Sequence, residues 1–249
     1  MFSELSDDSC SILKKLKAGR FGEVYKGMLK RAGKEQLSVA IKIAPKDDQQ
    51  EEFSNEIAMV EQIPSHENIV KYYGLCHLKS GHSGLVMELM VAGNLCQLTS
   101  SITGGDVPAI SDKIFLTLML CVARGLAHLH SNLILHNDIK STNILVNDRV
   151  SPTSAKLCDF GKSTFVYSGD QARRGTDGYD APERLANGST RQTDIFSFGV
   201  TCHNGQFLLA SQSSSHYDFF QTMMSSVPKD RPTAAAVVKA LEVAIPALK

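Results

Sequence analysis

The sequence lacks several features that mark particular classes of protein. Lysine plus arginine (26) equals aspartate plus glutamate (26). The chain therefore has no basic excess that would indicate nucleic-acid binding, and it has no acidic tail that would indicate disorder. There is no internal repeat and no low-complexity tract beyond the short serine-rich piece Ser211–Ser215. What remains is a chain of 249 residues, 43% hydrophobic, which is enough to bury the core of one large domain or of two lobes.

Cysteine motifs and long apolar runs are also missing. The six cysteines include no Cys-x-x-Cys pair, which argues against a zinc site or a disulfide framework. The longest apolar run, Ile114 to Ala123, is too short to cross a bilayer and is followed by Arg124. Met1 to Glu4 carries no basic flank, so we expect no signal peptide. These features predict a reduced, soluble, cytoplasmic protein without a membrane span.

The hydrophobic pattern changes along the chain. Val39 and Ile41 alternate with Ala40 and Lys42, a period of two that predicts a half-buried strand. Further on, helical periodicity predicts helices from Asp48 to Gln62, from an N-cap at Ser111 to Ser131, and from Thr233 to about Ile245. We therefore expect an α+β fold with a strand-rich lobe (residues 1–90) and a helix-rich lobe (residues 91–249), joined near Met90–Asn94.

The first lobe offers a candidate phosphate site. Gly19 and Gly22 lie between two strand-like stretches, where glycines let backbone N–H groups approach phosphate oxygens. By itself this hairpin is more typical of an ordinary turn. Lys42 follows on a strand, and Glu56 falls within the apolar helix face of Phe53, Ile57 and Val60. A carboxylate there needs a cation, and Lys42 is the natural partner unless Glu56 lies at the surface.

The most specific segment is the polar loop from His136 to Asn143, between two short apolar runs. A carboxylate, an ammonium and an amide lie so close together there that a polar ligand is expected. Asp138 could orient a hydroxyl, Lys140 could neutralise a phosphoryl group, and Asn143 could hold a metal. Asp159 follows another short strand and is suited to bind Mg²⁺.

The order of these segments resembles that of a eukaryotic protein kinase domain, from about Leu13 to about Leu241. Gly19–Val24 resembles the glycine-rich loop, Val39–Lys42 the VAIK strand and His136–Asn143 the catalytic loop. Asp159–Gly161 resembles the DFG turn and Ala181–Glu183 the APE motif. The resemblance implies a two-lobed α+β fold, with a small antiparallel sheet lobe carrying one helix and a larger, mainly helical lobe.

The resemblance also implies roles for single residues. Lys42 paired with Glu56 would hold the α- and β-phosphates of ATP between the lobes, Asp138 would be the catalytic base assisted by Lys140, and Asn143 and Asp159 would bind Mg²⁺. Asp194 would anchor the catalytic loop and Arg231 would pair with Glu183. The implied nucleotide-binding residues, with Met87 as gatekeeper and Glu88 and Met90 in the hinge, are Leu16, Ala18, Gly19, Gly22, Val24, Ala40, Lys42, Met87, Glu88 and Met90.

Lys140 and Gly175–Thr176 resemble the serine/threonine type, and the loop as a whole resembles the tyrosine-kinase-like group of Ser/Thr kinases. The resemblance thus implies γ-phosphate transfer from Mg-ATP to Ser/Thr hydroxyls of a protein substrate, in signalling and with possible regulatory partners. The alternatives are a tyrosine or dual-specificity kinase, a pseudokinase scaffold that binds nucleotide without turnover, and a small-molecule phosphotransferase. The APE segment argues against the last of these.

The chain departs from the family pattern at three places. Lys17 replaces the first glycine of the loop, and Asn137 replaces the arginine that normally pairs with an activation-loop phosphate. We therefore expect activity to depend only weakly on phosphate at Thr164, Tyr167 or Thr176. The stretch between Asp194 and Arg231 is abbreviated, so we expect the helices that usually support substrate docking to be trimmed.

Overall fold

The computed structural model describes residues 4–6, 9–19, 22–31, 33–44, 50–78, 82–168, 175–205, 208–209 and 217–247. Arg20, Phe21, the predicted helix start at Asp48 and the serine-rich Ser211–Ser215 lie outside these residues. The chain divides into two compact units, formed by residues 1–65 with 70–90 and by residues 66–69 with 91–249. The β-sheet unit and the helical unit give the two-lobed α+β fold that the sequence predicts.

The first unit contains a six-stranded sheet and one helix. The strands, in sheet order β1-β5-β6-β4-β3-β2, are β1 (Glu4–Leu5), β2 (Cys10–Gly19), β3 (Gly22–Arg31), β4 (Lys34–Ile43), β5 (Tyr72–His77) and β6 (Ser83–Glu88). Pairing is antiparallel throughout except that the short β1 runs parallel to β5. Helix α1 (Gln50–Gln62) joins β4 to β5 along the chain.

Strand β4 lies at the centre of this sheet, between β3 and β6. Val39 and Ile41 are fully buried and pack in a core with Leu29 and Val86. The opposite face is buried too, because Ala40 is only 7% exposed and Lys42 only 9%. The prediction of a half-buried strand was therefore wrong, since a central strand covered on both faces can still show alternating residue types.

Helix α1 buries a different set of residues from the one the pattern predicted. Phe53, Val60 and Glu56 are buried, as expected, but Met59 is the fourth buried residue and Ile57 is only partly buried. The inclusion of Glu56 among buried apolar side chains confirms that its carboxylate lies in the packed face. Such a carboxylate needs a partner within the unit.

The second unit is mainly helical. Its helices are α2 (Leu95–Thr103), α3 (Asp112–Ser131), α4 (Arg184–Asn187), α5 (Arg191–Gly205), α6 (Tyr217–Met223) and α7 (Ala234–Ala247). Two small antiparallel pairs accompany them, β7 (Ile134–Leu135) with β10 (Thr164–Phe165) and β8 (Ile144–Val146) with β9 (Ala155–Leu157). Residues 66–69 join this unit because the Asn68 carbonyl accepts a hydrogen bond from the Leu157 N–H (2.9 Å).

Helix α3 is the core helix of this unit. Ser111 caps it, since the hydroxyl accepts a hydrogen bond from the Ile114 N–H as predicted. Among the described residues it is the one helix long and apolar enough to span a bilayer, but 67% of its most apolar 18-residue window is buried within the protein. It packs along α7, where Arg124 pairs with Glu242 (2.8 Å). These contacts are those of a helix inside a folded domain.

Candidate functional site

In the first unit, Lys42 and Glu56 form a buried ion pair. The Lys42 Nζ lies 2.5 Å from the Glu56 Oε2, with side-chain exposures of 11% and 1%. The other carboxylate oxygen of Glu56 accepts a hydrogen bond from the Tyr72 hydroxyl at 3.2 Å. Strand β4 supplies the lysine, helix α1 the carboxylate and strand β5 the hydroxyl, so three elements fix one ammonium in place. The pairing predicted from the sequence is present.

The second unit holds the polar loop in a fixed conformation through Asp194, on α5. Its carboxylate accepts hydrogen bonds from the backbone N–H groups of His136 (2.9 Å) and Asn137 (2.8 Å). It also lies 3.0 Å from the His130 Nε2. Burial raises the pKa of Asp194, but His130 and the backbone donor outweigh that effect and lower it overall. Asp194 therefore anchors the loop as an ionised carboxylate.

Asp138 lies at the centre of the loop, almost fully buried, within a network of donors. Its Oδ2 accepts from the Lys140 Nζ at 2.8 Å and from the Asn143 Nδ2 at 3.1 Å. Its Oδ1 accepts from the Thr176 hydroxyl at 2.6 Å, and the Lys162 Nζ lies 3.8 Å away. Lys140 also donates to the Thr176 oxygen at 2.7 Å. A hydroxyl, two ammonium groups and an amide thus converge on one carboxylate.

This network controls the protonation of Asp138. Burial by itself raises the pKa of the carboxyl, but Lys140, the Thr176 hydroxyl and the charge of Lys162 outweigh burial and hold the pKa below its ordinary value. Asp138 is therefore ionised at neutral pH, which is the form that can accept a hydrogen bond from an incoming hydroxyl.

Asn143 and Asp159 are linked through the backbone. The Asn143 carbonyl accepts a hydrogen bond from the N–H of Cys158, the residue before Asp159, at 3.0 Å. The Asn143 Nδ2 points back to the Asp138 carbonyl at 2.9 Å, which orients the side-chain amide. Asp159 has a left-handed backbone (φ 68°), a strained conformation of the kind found at functional sites. Amide and carboxylate oxygens are ligands that suit Mg²⁺.

No cluster of three or more His, Cys, Asp or Glu side chains suited to a metal ion occurs among the described residues. Asn143 and Asp159 are the residues that would hold a magnesium ion here. The donor set still fits, because Mg²⁺ is usually held by one or two protein groups together with substrate phosphates and water.

The predicted nucleotide-binding residues all belong to the first unit. Ala40 pairs with Met87 between β4 and β6, and both are buried. Leu16 on β2 is 45% exposed, whereas Val24 on β3 is partly buried and pairs with Lys42. The Glu88 N–H donates to the Lys71 carbonyl at 2.9 Å.

The backbone of Ala18 and Gly19 belongs to β2 and that of Gly22 to β3. The side chain of Ala18 lies outside the described part of the protein. Met90, which is partly buried, is the last residue of the first unit. These residues stay predictions as nucleotide contacts.

Sequence reasoning missed two participants. The sequence motifs predict no role for Lys162. Thr176 belongs to a pair, Gly175–Thr176, that resembles the serine/threonine type, but the motif does not predict its contacts with Asp138 and Lys140. The position of Lys162, directly after Asp159–Gly161, is the signal that could have drawn attention to it.

The predicted pair of Glu183 and Arg231 is present as a two-pronged ion pair. The guanidinium Nη1 and Nη2 atoms donate to the two carboxylate oxygens at 2.7 and 2.9 Å. Arg231 also donates to the carbonyls of Gln192 (3.0 Å) and Ser225 (2.8 Å). The fork of the guanidinium thus links α4, α5 and the segment before α7.

The family model described as protein kinase domain matches residues 10–210, which contain every motif named above except Arg231. The chain belongs to the protein kinase domain family. The match ends before α6 and α7, so the resemblance expected to reach Leu241 is matched by the family model only as far as residue 210.

Curated relatives agree with the family. The probable serine/threonine-protein kinase PBL20 of Arabidopsis thaliana is 34% identical over 217 residues, covering 81% of this chain and 54% of the relative. The receptor-like protein kinase THESEUS 1 of the same plant is 37% identical over 216 residues, covering 80% and 24%. The probable serine/threonine-protein kinase kinY of Dictyostelium discoideum is 33% identical over 222 residues, covering 79% and 37%.

The kinase domain therefore spans about a quarter to about half of the length of these relatives. The resemblance to the tyrosine-kinase-like group of Ser/Thr kinases is confirmed, because the homologues are Ser/Thr receptor-like kinases of a plant type that is similar to that group.

Proposed function

We propose that this domain is an ATP-dependent protein kinase that phosphorylates serine and threonine side chains of a protein substrate, with a role in signalling. The single observation that carries the proposal is the network around Asp138. A buried, ionised carboxylate with Lys140, Lys162 and Thr176 around it is suited to receive a hydroxyl and to stabilise a transferred phosphoryl group.

The reaction assigns each group a task. The acceptor oxygen attacks the γ-phosphorus of ATP, the bond from that phosphorus to the β,γ-bridging oxygen breaks, and ADP leaves. Asp138 orients the hydroxyl and accepts its proton, which then passes to solvent. Lys140 offsets the negative charge of the phosphoryl group, and Lys42, held by Glu56, contacts the non-transferred phosphates.

Magnesium is part of the proposal. Asn143 and Asp159 would hold it, and when bound it supplies positive charge to the phosphates. The orientation of the Asn143 amide by its bond to the Asp138 carbonyl keeps the amide oxygen available as a ligand.

The choice of serine and threonine rests on Lys140 and Thr176. Their side chains bond to each other and to Asp138, so both lie beside the carboxylate that would orient the substrate hydroxyl. The relatives PBL20 and kinY are named as probable serine/threonine-protein kinases, which supports the same choice here.

We further propose that the domain works in the cytoplasm, together with regulatory protein partners. ATP is available there, and none of the six cysteines forms a disulfide, which fits a reducing compartment. Fractionation of cells that express a tagged chain tests the location, and recovery in the secreted fraction would contradict it.

The decisive experiment measures transfer of radiolabelled γ-phosphate to a generic basic protein. The wild-type domain should label serine and threonine, and Asp138→Asn should lower turnover by at least about 100-fold, because the base can no longer accept a proton. Asp218→Asn is the matched control, since Asp218 is an exposed aspartate on α6.

Nucleotide binding without any turnover by the wild-type protein would instead identify a pseudokinase. Labelling confined to tyrosine would show that the acceptor assignment is wrong.

A further inference from the structure

Lys162 is a nearly buried lysine that the mechanism above leaves without a task of its own. Its side chain is 13% exposed, and its Nζ donates a hydrogen bond to the Gly175 carbonyl at 2.8 Å. The same Nζ lies 3.8 Å from the Asp138 Oδ1. One ammonium therefore joins the catalytic carboxylate to the backbone of a residue 13 positions further along the chain.

The backbone of Lys162 is hydrogen-bonded to the polar loop as well. The Lys162 carbonyl accepts a hydrogen bond from the Asn137 Nδ2 at 3.0 Å. Asn137 is part of the polar loop, and Asp194 fixes it through the backbone N–H. Because both ends of the residue are tied to the loop, the Lys162 ammonium is a rigid point of attachment for Gly175.

Gly175 fits this position without any room for a side chain. A Cβ there would lie less than 3.0 Å from Asp180, Arg184 and the Asn137 carbonyl. Arg184 itself donates to the Asn137 carbonyl at 2.9 Å and to the Asp180 carboxylate at 2.8 Å. The Gly175 backbone therefore packs closely against the polar loop, and its carbonyl accepts a hydrogen bond from Lys162.

Thr176 follows Gly175 directly, so the position of the Gly175 carbonyl sets that of the Thr176 hydroxyl. That hydroxyl donates to the Asp138 Oδ1 at 2.6 Å, and its oxygen accepts a hydrogen bond from the Lys140 Nζ at 2.7 Å. A displacement of the Gly175 carbonyl by one ångström would break hydrogen bonds of this length. The geometry at Asp138 thus depends on a bond that Lys162 makes.

We propose that Lys162 is a positioning residue for phosphotransfer, which clamps the Gly175–Thr176 segment against Asp138 through its ammonium group. The inference rests on the proposed kinase activity and deepens it. Where the loop carries an arginine in place of Asn137, a phosphate on the activation loop pairs with that arginine and holds the segment. In this chain the Lys162 ammonium would hold the segment.

Kinetics of Lys162→Met and Lys162→Arg test this role. The methionine keeps the length of the side chain but loses the charge and the donor, so kcat should fall by about 10-fold to 100-fold with little change in the KM for ATP. The arginine can still donate to the Gly175 carbonyl and should restore most of kcat. Lys239→Met, at an exposed lysine on α7, is the matched control and should match the wild type.

The split between kcat and KM gives a readout that a merely structural role would not move. Loss of the Lys162 ammonium should lower kcat while the KM for ATP stays near the wild-type value, and Lys162→Arg should return kcat toward that of the wild type. Unchanged kcat in the methionine variant would overturn the proposal.

Amide hydrogen exchange separates this inference from the kinase assignment. Residues 175–183 should exchange faster in Lys162→Met than in the wild type and in Lys162→Arg, whether or not the protein turns over ATP. Equal exchange in all three proteins would overturn the clamp. If the methionine variant does not fold, the arginine variant still tests the proposal. Lys162→Arg keeps the positive charge and the hydrogen-bond donor, so a large loss of kcat in that variant would contradict the positioning role.

Discussion

Asn137 shows how one substitution changes the way a loop is held. Its backbone is left-handed (φ 66°), a conformation that asparagine adopts more readily than most residues. Its side-chain amide donates to the Lys162 carbonyl at 3.0 Å and to the Thr164 hydroxyl at 2.9 Å. A neutral amide offers no charge to a phosphate, so the segment after Asp159 is held by hydrogen bonds among unmodified groups.

The first prediction concerns phosphorylation of that segment. Thr164 is buried against Asn137, and Thr176 contacts Asp138, so changes at either residue disturb the site directly. Tyr167 is 70% exposed and is the informative position of the three predicted from the sequence. Tyr167→Phe and Tyr167→Glu should both keep kcat within about threefold of the wild type in a phosphate-transfer assay.

Thr176→Ala is the contrasting variant, and it should lose activity because Asp138 loses a hydrogen bond. A change of several orders of magnitude at Tyr167, or upon phosphatase treatment of the wild type, would contradict weak dependence on phosphate.

A second prediction at the residue scale concerns Cys10. A hydrogen bond from the Cys76 thiol lowers the pKa of Cys10 to about 7, while burial acts in the opposite direction. Because the thiolate is the nucleophile, Cys10 should react with iodoacetamide at pH 7.5 faster than an ordinary cysteine. Peptide mapping by mass spectrometry measures the rate at each site.

Two cysteines serve as controls for that measurement. Cys202 is fully buried, and burial raises the pKa of its thiol, so it should stay unlabelled in the folded protein. Cys76→Ala removes the donor and should slow labelling of Cys10. Labelling at the same rate in that variant would show that Cys76 does not activate Cys10.

At the scale of elements, Arg231 joins three parts of the helical unit. Its guanidinium is fully buried and pairs with Glu183 at the start of α4, and it lies 4.9 Å from the centre of the Phe196 ring on α5. By contrast, the Arg124–Glu242 pair between α3 and α7 is about 40% exposed on both sides. Because the first pair is buried, its loss should lower the free energy of unfolding far more than loss of the second pair.

The third prediction compares these two pairs. Arg231→Met should lower the free energy of unfolding by about 3–5 kcal/mol, because it leaves the Glu183 carboxylate without its cation. Arg124→Met should lower it by no more than about 1 kcal/mol, as is usual for exposed pairs. Urea denaturation followed by circular dichroism measures both, and equal losses would contradict the assignment.

The same pair gives a fourth prediction, for acid stability. Burial raises the pKa of Glu183, but the Arg231 hydrogen bond outweighs it, so the folded pKa lies below the ordinary 4.5. A carboxyl with a lowered folded pKa stabilises the protein above the unfolded pKa, and that contribution is lost as pH falls through the folded value. Glu183→Gln should therefore flatten the decline of the melting temperature below about pH 4.5.

At the scale of the whole molecule, the kinase assignment predicts that Mg-ATP binds the folded chain. A ligand present at about 100 times its Kd adds about 2.7 kcal/mol to the free energy of unfolding, so the midpoint of a thermal melt should rise by several degrees. Lys42→Met and Asp159→Asn should each reduce the rise, whereas Lys239→Met should keep it. An unchanged midpoint with the wild type would contradict nucleotide binding.

The family and most of the candidate site could be predicted from the amino-acid sequence. Lys42 and Glu56 could be found because they lie within a strand and a helix whose hydrophobic patterns are readable. Asp138, Asn143 and Asp159 could be found because they follow short apolar runs and match motifs of the family. The helix cap at Ser111 could be predicted for the same reason, since local patterns and local hydrogen bonds govern it.

The contacts that hold these residues in place could not be predicted in the same way, because they depend on the tertiary fold. Thr176 lies 38 positions from Asp138, and Lys162 reaches both Asp138 and Gly175, so their contacts depend on the path of the chain rather than on spacing. The burial of both faces of β4 likewise depends on which segments of the chain pack against the two faces of the sheet. Such contacts form when distant segments pack together, and a one-dimensional pattern carries no record of which distant segments those are.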